Sequence, residues 1–519
     1  MNKLTSFLTG GAIAIGLVLS ANAATLKMAY DADPVSLDPH EQLSGGTLQL
    51  SHMVFDPLIR WTQELGFEGR LAESWERVDE YTVRFNLRKG VKFHSGNPMT
   101  AADVLWTYNR LKNSPDFKGI FEQFKNLNVI DEHSFELVTK GEYPLVLHTA
   151  TYIFPMDSKF YTGTDDNGEP KDKLVKHAGT YASTHVSGTG AYRVSSREQG
   201  VKIVFDRSST YWDTASKGNV DKIILTPIKE ALTRVAALLS GDVDFITPVP
   251  PNDHKRIKAS DKVDLITLPG TRIITFQMNQ QRKEEFKDVR VRQAIVHAIN
   301  NEGIVQKIMK GFATVAGQQG PIGYAGFKAN LKPRYDLKKA KALMKEAGLE
   351  KGFSVTMMAP NNRYVNDEKI AQAVVSMLAK INIKVNLKAM PKAQYWPEFD
   401  KRSADLMMIG WHSDTEDSAN FSEFLTTCPN KDTGAGQYNS GNYCNPTVDA
   451  LVKASATETD PEKRAAMLQE VEQILYEDAA FIPLHWQNLA WAARKGVNIA
   501  SVVNVQNFPY LSDLVIDEK

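Results

Sequence analysis

Leu71-Ala72-Glu73-Ser74-Trp75, then Leu87-Arg88-Lys89-Gly90-Val91-Lys92-Phe93-His94-Ser95-Gly96, then Thr100-Ala101-Ala102-Asp103-Val104 make up a stretch with a plain local reading. Just ahead of its middle part, residues 81–87 set Val83, Phe85 and Leu87 against Arg84 and Asn86, the period-2 pattern of a half-buried strand. Gly90 and Gly96 suit hairpin turns. Thr100 is placed to cap a helix over 101–111, with Asp103 three residues on, where its carboxylate completes the cap. Trp75 and Phe93 read as packing side chains rather than ligand contacts. The stretch therefore builds structure and carries no chemistry of its own.

Upstream, Lys3 precedes an apolar run over 7–19, and Ala21-Asn22-Ala23 offers the small residues that a signal peptidase accepts. A run of about 13 residues is too short to cross a bilayer core, which takes roughly 20. Residues 1–23 are expected to be a cleaved secretory signal, with the mature chain starting at Ala24 and working in the periplasm. The 61 basic and 61 acidic residues balance, and loss of Lys3 leaves the mature chain near minus one. Nucleic acid is a poor partner for such a surface. The lysine-rich stretch 255–262 reads as a solvated face.

The roughly 496 remaining residues exceed what one core supports, so two or three domains are expected. Cys428 and Cys444 are the only cysteines. In an exported chain they read as a disulfide closing a Gly-, Asn- and Asp-rich loop; a metal or redox pair would want CxxC spacing. Strands are expected at 26–30, 223–226, 273–278, 353–358, 383–387 and 406–409. Helices are expected at 46–54, 230–239, 289–299, 337–347, 367–381 and 418–425. This alternation is that of an α/β protein.

Catalytic signatures fail: there is no GxSxG elbow, no HExxH helix and no Gly-Lys dipeptide for a P-loop. The 11 histidines stand singly, so no preformed metal site, cofactor or enzyme activity is expected. The opening stretch, together with Gly188-Thr189-Gly190-Ala191-Tyr192, Tyr211-Trp212, Leu239-Ser240-Gly241-Asp242-Val243-Asp244, Arg290-Val291-Arg292-Gln293-Ala294 and Ile482-Pro483-Leu484-His485, resembles the family 5 extracellular solute-binding proteins. That family comprises the dipeptide, oligopeptide and nickel receptors of ABC importers. The resemblance implies an α/β, two-lobed, hinged periplasmic binding protein, class II type, cluster C. Lobe I would combine 24–66, 187–271 and 488–519, with an inserted subdomain at 67–186. Lobe II would span 272–487.

The ligand signal lies in Gly410-Trp411-His412-Ser413-Asp414-Thr415-Glu416-Asp417, where a buried strand runs out toward an interdomain cleft. This segment is similar to the Gly-Trp-x-x-Asp stretch of dipeptide receptors, and the resemblance gives Asp414 the peptide α-amine. A carboxylate shielded there with a cation is selective, because an unpaired buried ion costs several kcal/mol. Trp411 offers an apolar wall or packs beneath the loop. His412 suits a metal only in a nickel-type relative, and Asp417 reads as a helix cap. Arg363, in the loop before the helix at 367–381, matches the region of the family's carboxylate-binding arginine, although loop length and proline content differ. The expected function is capture of small peptides, above all dipeptides, by a monomer that delivers them to an inner-membrane ABC permease. An opine, a glycan, haem or a nickel chelate is the alternative ligand on the same fold.

Overall fold

The computed structural model describes residues 24–63, 66–177, 179–413 and 418–517. The signal expected at 1–23 lies outside the described residues, as do Asp414 and Asp417.

Local signals translate directly. Thr100 and Asp103 form a reciprocal capping box on the helix Ala101–Asn113, with Asp103 Oδ2 accepting from Thr100 N at 2.9 Å. The helix Ala231–Ser240 stops at Gly241, whose φ of 89° is left-handed and strained for any side chain. The strand expected at 81–87 is Thr82–Leu87, flanked by Ala72–Arg77 and Ser134–Thr139, with Phe124–Asp131 on the outside of a four-stranded antiparallel sheet. Val83, Phe85 and Leu87 all point into the core, and Phe85 stacks on Phe135 with centroids 5.3 Å apart.

A larger mixed sheet organises the rest. Its strands run in the order Lys384–Met390, Ser354–Pro360, Leu406–Trp411, Val263–Met278, Phe481–Arg494, Phe245–Thr247, Ala24–Tyr30, Val220–Pro227, Lys202–Arg207, Tyr192–Glu198. Ser354–Pro360 pairs in parallel with both its neighbours, and Ala24–Tyr30 does the same at the other end. Parallel neighbours need crossovers, which the helices supply, Asp367–Leu378 among them.

Two strands serve both halves of this sheet. Residues 273–278 of Val263–Met278 pair with Leu406–Trp411, whereas its first half pairs with the far end of Phe481–Arg494. Sequence reading recovered only 273–278, because Pro269 and Gly270 break the apolar pattern before it. Register shifts between Leu268 and Arg272. There a β-carbon on Gly270 would lie 2.0 Å from the Gln487 carbonyl oxygen, so only glycine lets the two strands run this close. The positions 271/272 and 487/488, where the sequence reading passes from one lobe to the other, fall in this crossing. Apolar side chains segregate to its two sides: Phe276, Ile295, Met357, Met408 and Leu484 share one core, and Ala29, Val235, Ile246 and Ala492 another.

The strand expected to stop at Ile409 continues through Gly410 and Trp411, because Ile274 and Ile273 extend its pairing. All six of its residues are buried.

Candidate functional site

Three of the four expected site residues come together around one gap, which residues far earlier in the chain, Leu43 and Asp116 among them, also line. Arg363 stands in the loop between Ser354–Pro360 and Asp367–Leu378, and the loop is shaped by Asp367, which accepts from Arg363 N at 2.9 Å and Tyr364 N at 3.0 Å. Burial pushes the Asp367 carboxyl up to about 6, partly offset by those N–H donors. The Tyr364 hydroxyl donates to Gly410 O at 3.3 Å, which ties the loop to the strand that delivers Trp411 and His412. Arg363, Trp411 and His412 thus line one space, partly open to solvent. Asp414, the fourth, lies outside the described residues.

Each side chain meets a different fate. Arg363 Nε is buried without a hydrogen-bond partner among the described residues, and the guanidinium carbon lies 5.0 Å from the Tyr364 ring centre. Trp411 is both wall and packing: its indole donates to Asn420 Oδ1 at 2.8 Å, and its ring lies 4.7 Å from Tyr438 and 5.1 Å from Phe424. His412 Nδ1 faces Arg272 Nη2 at 3.0 Å, and Arg272 also donates to Gly410 O at 3.1 Å. A guanidinium only donates, so Nδ1 accepts and the imidazole is neutral. Burial, then Arg272 and Arg363, hold its pKa well below the usual histidine range. A nitrogen engaged this way beside two cations is a poor metal ligand.

Sequence reading missed a second set that bridges the gap. Lys176 Nζ lies 2.8 Å from Asp116 and 3.3 Å from Asp400. Asp116 in turn accepts from Leu43 N at 3.0 Å, the Tyr438 hydroxyl at 2.8 Å and Gln437 Nε2 at 2.6 Å. Residues near 43, 116, 176, 400 and 438 meet only through the fold, so no local pattern announces them. Tyr438 and Gln437 lie on the loop bracketed by Cys428 and Cys444, which the structure pairs with Cα atoms 4.4 Å apart. Asp449 approaches the pair through Cys428 N at 3.0 Å, yet sulfurs joined to each other offer no thiolate to a metal. The other residue missed is Lys392, which, with Gly45 and Gly46, borders the gap beside Arg363. The glycine pair at a helix start was the available signal.

Comparison with known proteins accords with this geometry. The dipeptide-binding protein of Escherichia coli (strain K12) is 27% identical, with 93% of each chain covered. Two solved structures share the fold. The periplasmic binding protein DppA from Helicobacter pylori, in complex with the peptide STSA, has a TM-score of 0.84 at 24% identity, covering 95% of this chain and 98% of that one. The dipeptide binding protein from Pseudoalteromonas sp. SM9913, in complex with Met-Leu, has a TM-score of 0.85 at 22% identity, covering 95% and 100%. The fold is therefore the two-lobed α/β one of periplasmic binding proteins. The family model described as bacterial extracellular solute-binding proteins, family 5 Middle, matches residues 66–433, and the chain belongs to that family.

Proposed function

We propose that the protein is the periplasmic receptor of an ABC importer for small peptides, dipeptides above all, which it passes to an inner-membrane permease. Arg363 takes the ligand carboxylate and Asp414 the α-ammonium, with Trp411 as the apolar wall and His412 orienting Arg272. The observation that carries this reading is the buried, unpartnered Nε of Arg363 in the gap between lobes. Burying a guanidinium without an acceptor is costly, and a bidentate carboxylate removes that cost. The dipeptide-binding relative from E. coli supports the same ligand class.

In this reading 24–66, 187–271 and 488–519 form lobe I, 67–186 its inserted subdomain and 272–487 lobe II. Residues 1–23 direct export and are removed. The protein works as a monomer without catalysis, and the Cys428–Cys444 bond holds the loop that carries Tyr438. Ligand that touches both lobes favours closure only by its differential affinity for the closed form.

Calorimetry with a panel of dipeptides tests the reading, with micromolar or tighter binding expected. No heat from any peptide, with heat from an opine or a nickel chelate, would hand the site to another solute. Asp414→Asn should abolish binding of free-amine peptides at nearly unchanged melting temperature. An intact mass that still includes residues 1–23 in protein recovered from periplasm would contradict cleavage.

A further inference from the structure

The deep end of the gap gathers positive charge where the backbone already supplies it. The helix Gly45–Val54 begins there, its cap residue Ser44 makes no side-chain cap bond, and Gly45 and Gly46 line the space, so the positive end of the helix lies beside it. A β-carbon on Gly45 would lie 3.7 Å from Arg272 Nη2 and 3.9 Å from Arg363 Nη2, and one on Gly46 would lie 3.9 Å from Lys392 Nζ. Lys392 is also the first residue of the helix Lys392–Asp400, so its ammonium stands at the unfavourable end of two helices.

Tyr30 gives an independent indication. It ends the strand Ala24–Tyr30, is 8% exposed, and its hydroxyl has no hydrogen-bond partner among the described residues although it lines the same space as Arg363 and Lys392. Among the described residues lining that space, Asp31 is the single carboxylate facing three cations. Asp31 and Asp33 attract Lys392, while burial and Arg363 outweigh them and leave its pKa lowered. An anion accepting from Lys392, the Tyr30 hydroxyl and the glycine N–H groups would relieve every one of these mismatches at once.

We propose that this cavity receives a second carboxylate of the solute, so that the preferred ligands are acidic peptides or amino-acid conjugates with two carboxylates, not neutral dipeptides. The proposal rests on the reading of the gap as a receptor site, with Arg363 on the first carboxylate and Lys392, Tyr30, Gly45 and Gly46 on the second.

Gly-Glu and Gly-Gln differ by one charge at nearly constant shape, and calorimetry should show Gly-Glu about 30-fold tighter on the wild type. Lys392→Met should bring the two within about threefold, and Tyr30→Phe, which keeps the ring and its packing, should narrow the difference in the same direction. Glutarate, which has two carboxylates and no amine, should raise the melting temperature of wild type but not of Lys392→Met. Equal affinity of the two peptides, or a Gly-Glu preference that survives in Lys392→Met, would overturn the proposal. So would indifference to glutarate combined with no binding of either peptide. If neither peptide binds and glutarate still stabilises wild type alone, the peptide reading fails and the anion cavity stands.

Discussion

The two ends of the interlobe gap are built on opposite principles. At one end Lys176, Asp116, Asp400 and Tyr438 satisfy each other across the lobes, and every charge there has a counter-charge within 3.3 Å. At the other, Arg363 and Lys392 crowd the first turn of Gly45–Val54, and Arg363 Nε has no acceptor. Saturated contacts of the first kind can hold lobes together with any cargo or none. A buried guanidinium N–H without an acceptor, as at Arg363 Nε among the described residues, is costly until a ligand supplies one. Mutually satisfied charges and an acceptor-less guanidinium N–H are therefore separated in space.

The strongest way to break this comparison is Arg363→Ala, which should weaken dipeptide binding about a thousandfold, near 4 kcal/mol, without a matching loss of stability. Calorimetry and a melting curve on the same sample decide it; a modest change in affinity would place the carboxylate elsewhere.

Acid should act chiefly through buried histidines. His40 and His485 are fully buried, and burial holds them down to about 3 and about 4, with Arg110 reinforcing the effect on His40. Their contribution to stability is complete above the unfolded value of 6.5 and is lost as pH falls toward 4, on the order of 3 kcal/mol each. Glu472, raised by burial to about 7, has the reverse sign: its burden is relieved as pH drops from 7 to 4.5. The urea midpoint should therefore peak near pH 6.5 and fall steeply below 6, and a flat profile from pH 7 to 4.5 would refute the histidine assignment.

Reduction of the Cys428–Cys444 pair should cost up to about 3 kcal/mol, through the loop it closes, yet leave dipeptide affinity within a few-fold. The loop has its own bonds, with Tyr438 N on Phe424 O at 3.0 Å and Asn439 Nδ2 on Tyr443 O at 2.7 Å. Two free thiols by mass spectrometry would remove the bond itself. The smallest effect belongs to the saturated end: Lys176→Met should weaken acidic and neutral peptides alike by about fivefold, or 1 kcal/mol. Selective loss for one class would mean that Lys176 touches the ligand.

What could be read in the sequence was whatever a few adjacent residues decide. The Thr100–Asp103 box, the Gly241 stop and the alternation of Val83, Phe85 and Leu87 are local bargains between neighbours, and the fold honours each. Arg363, Trp411 and His412 were found because family segments surround them, and they do line one space. Lys392 follows Pro391 with nothing nearby to mark it, and Asp116 becomes a bridge only once Tyr438, far along the chain, arrives beside it. The first half of Val263–Met278 was invisible for a related reason, since its partner is the distant end of Phe481–Arg494 and its alternation is broken by Pro269 and Gly270.

The glycine at position 270 has a mechanical corollary. Strands pressed backbone to backbone at one point leave no room for a side chain between them, so even alanine at 270 would have to push the Gln487 carbonyl aside. A methyl group introduced there would force the two strands apart beside Arg272 and Gln487, so a change at one glycine reaches the cavity lining through the backbone.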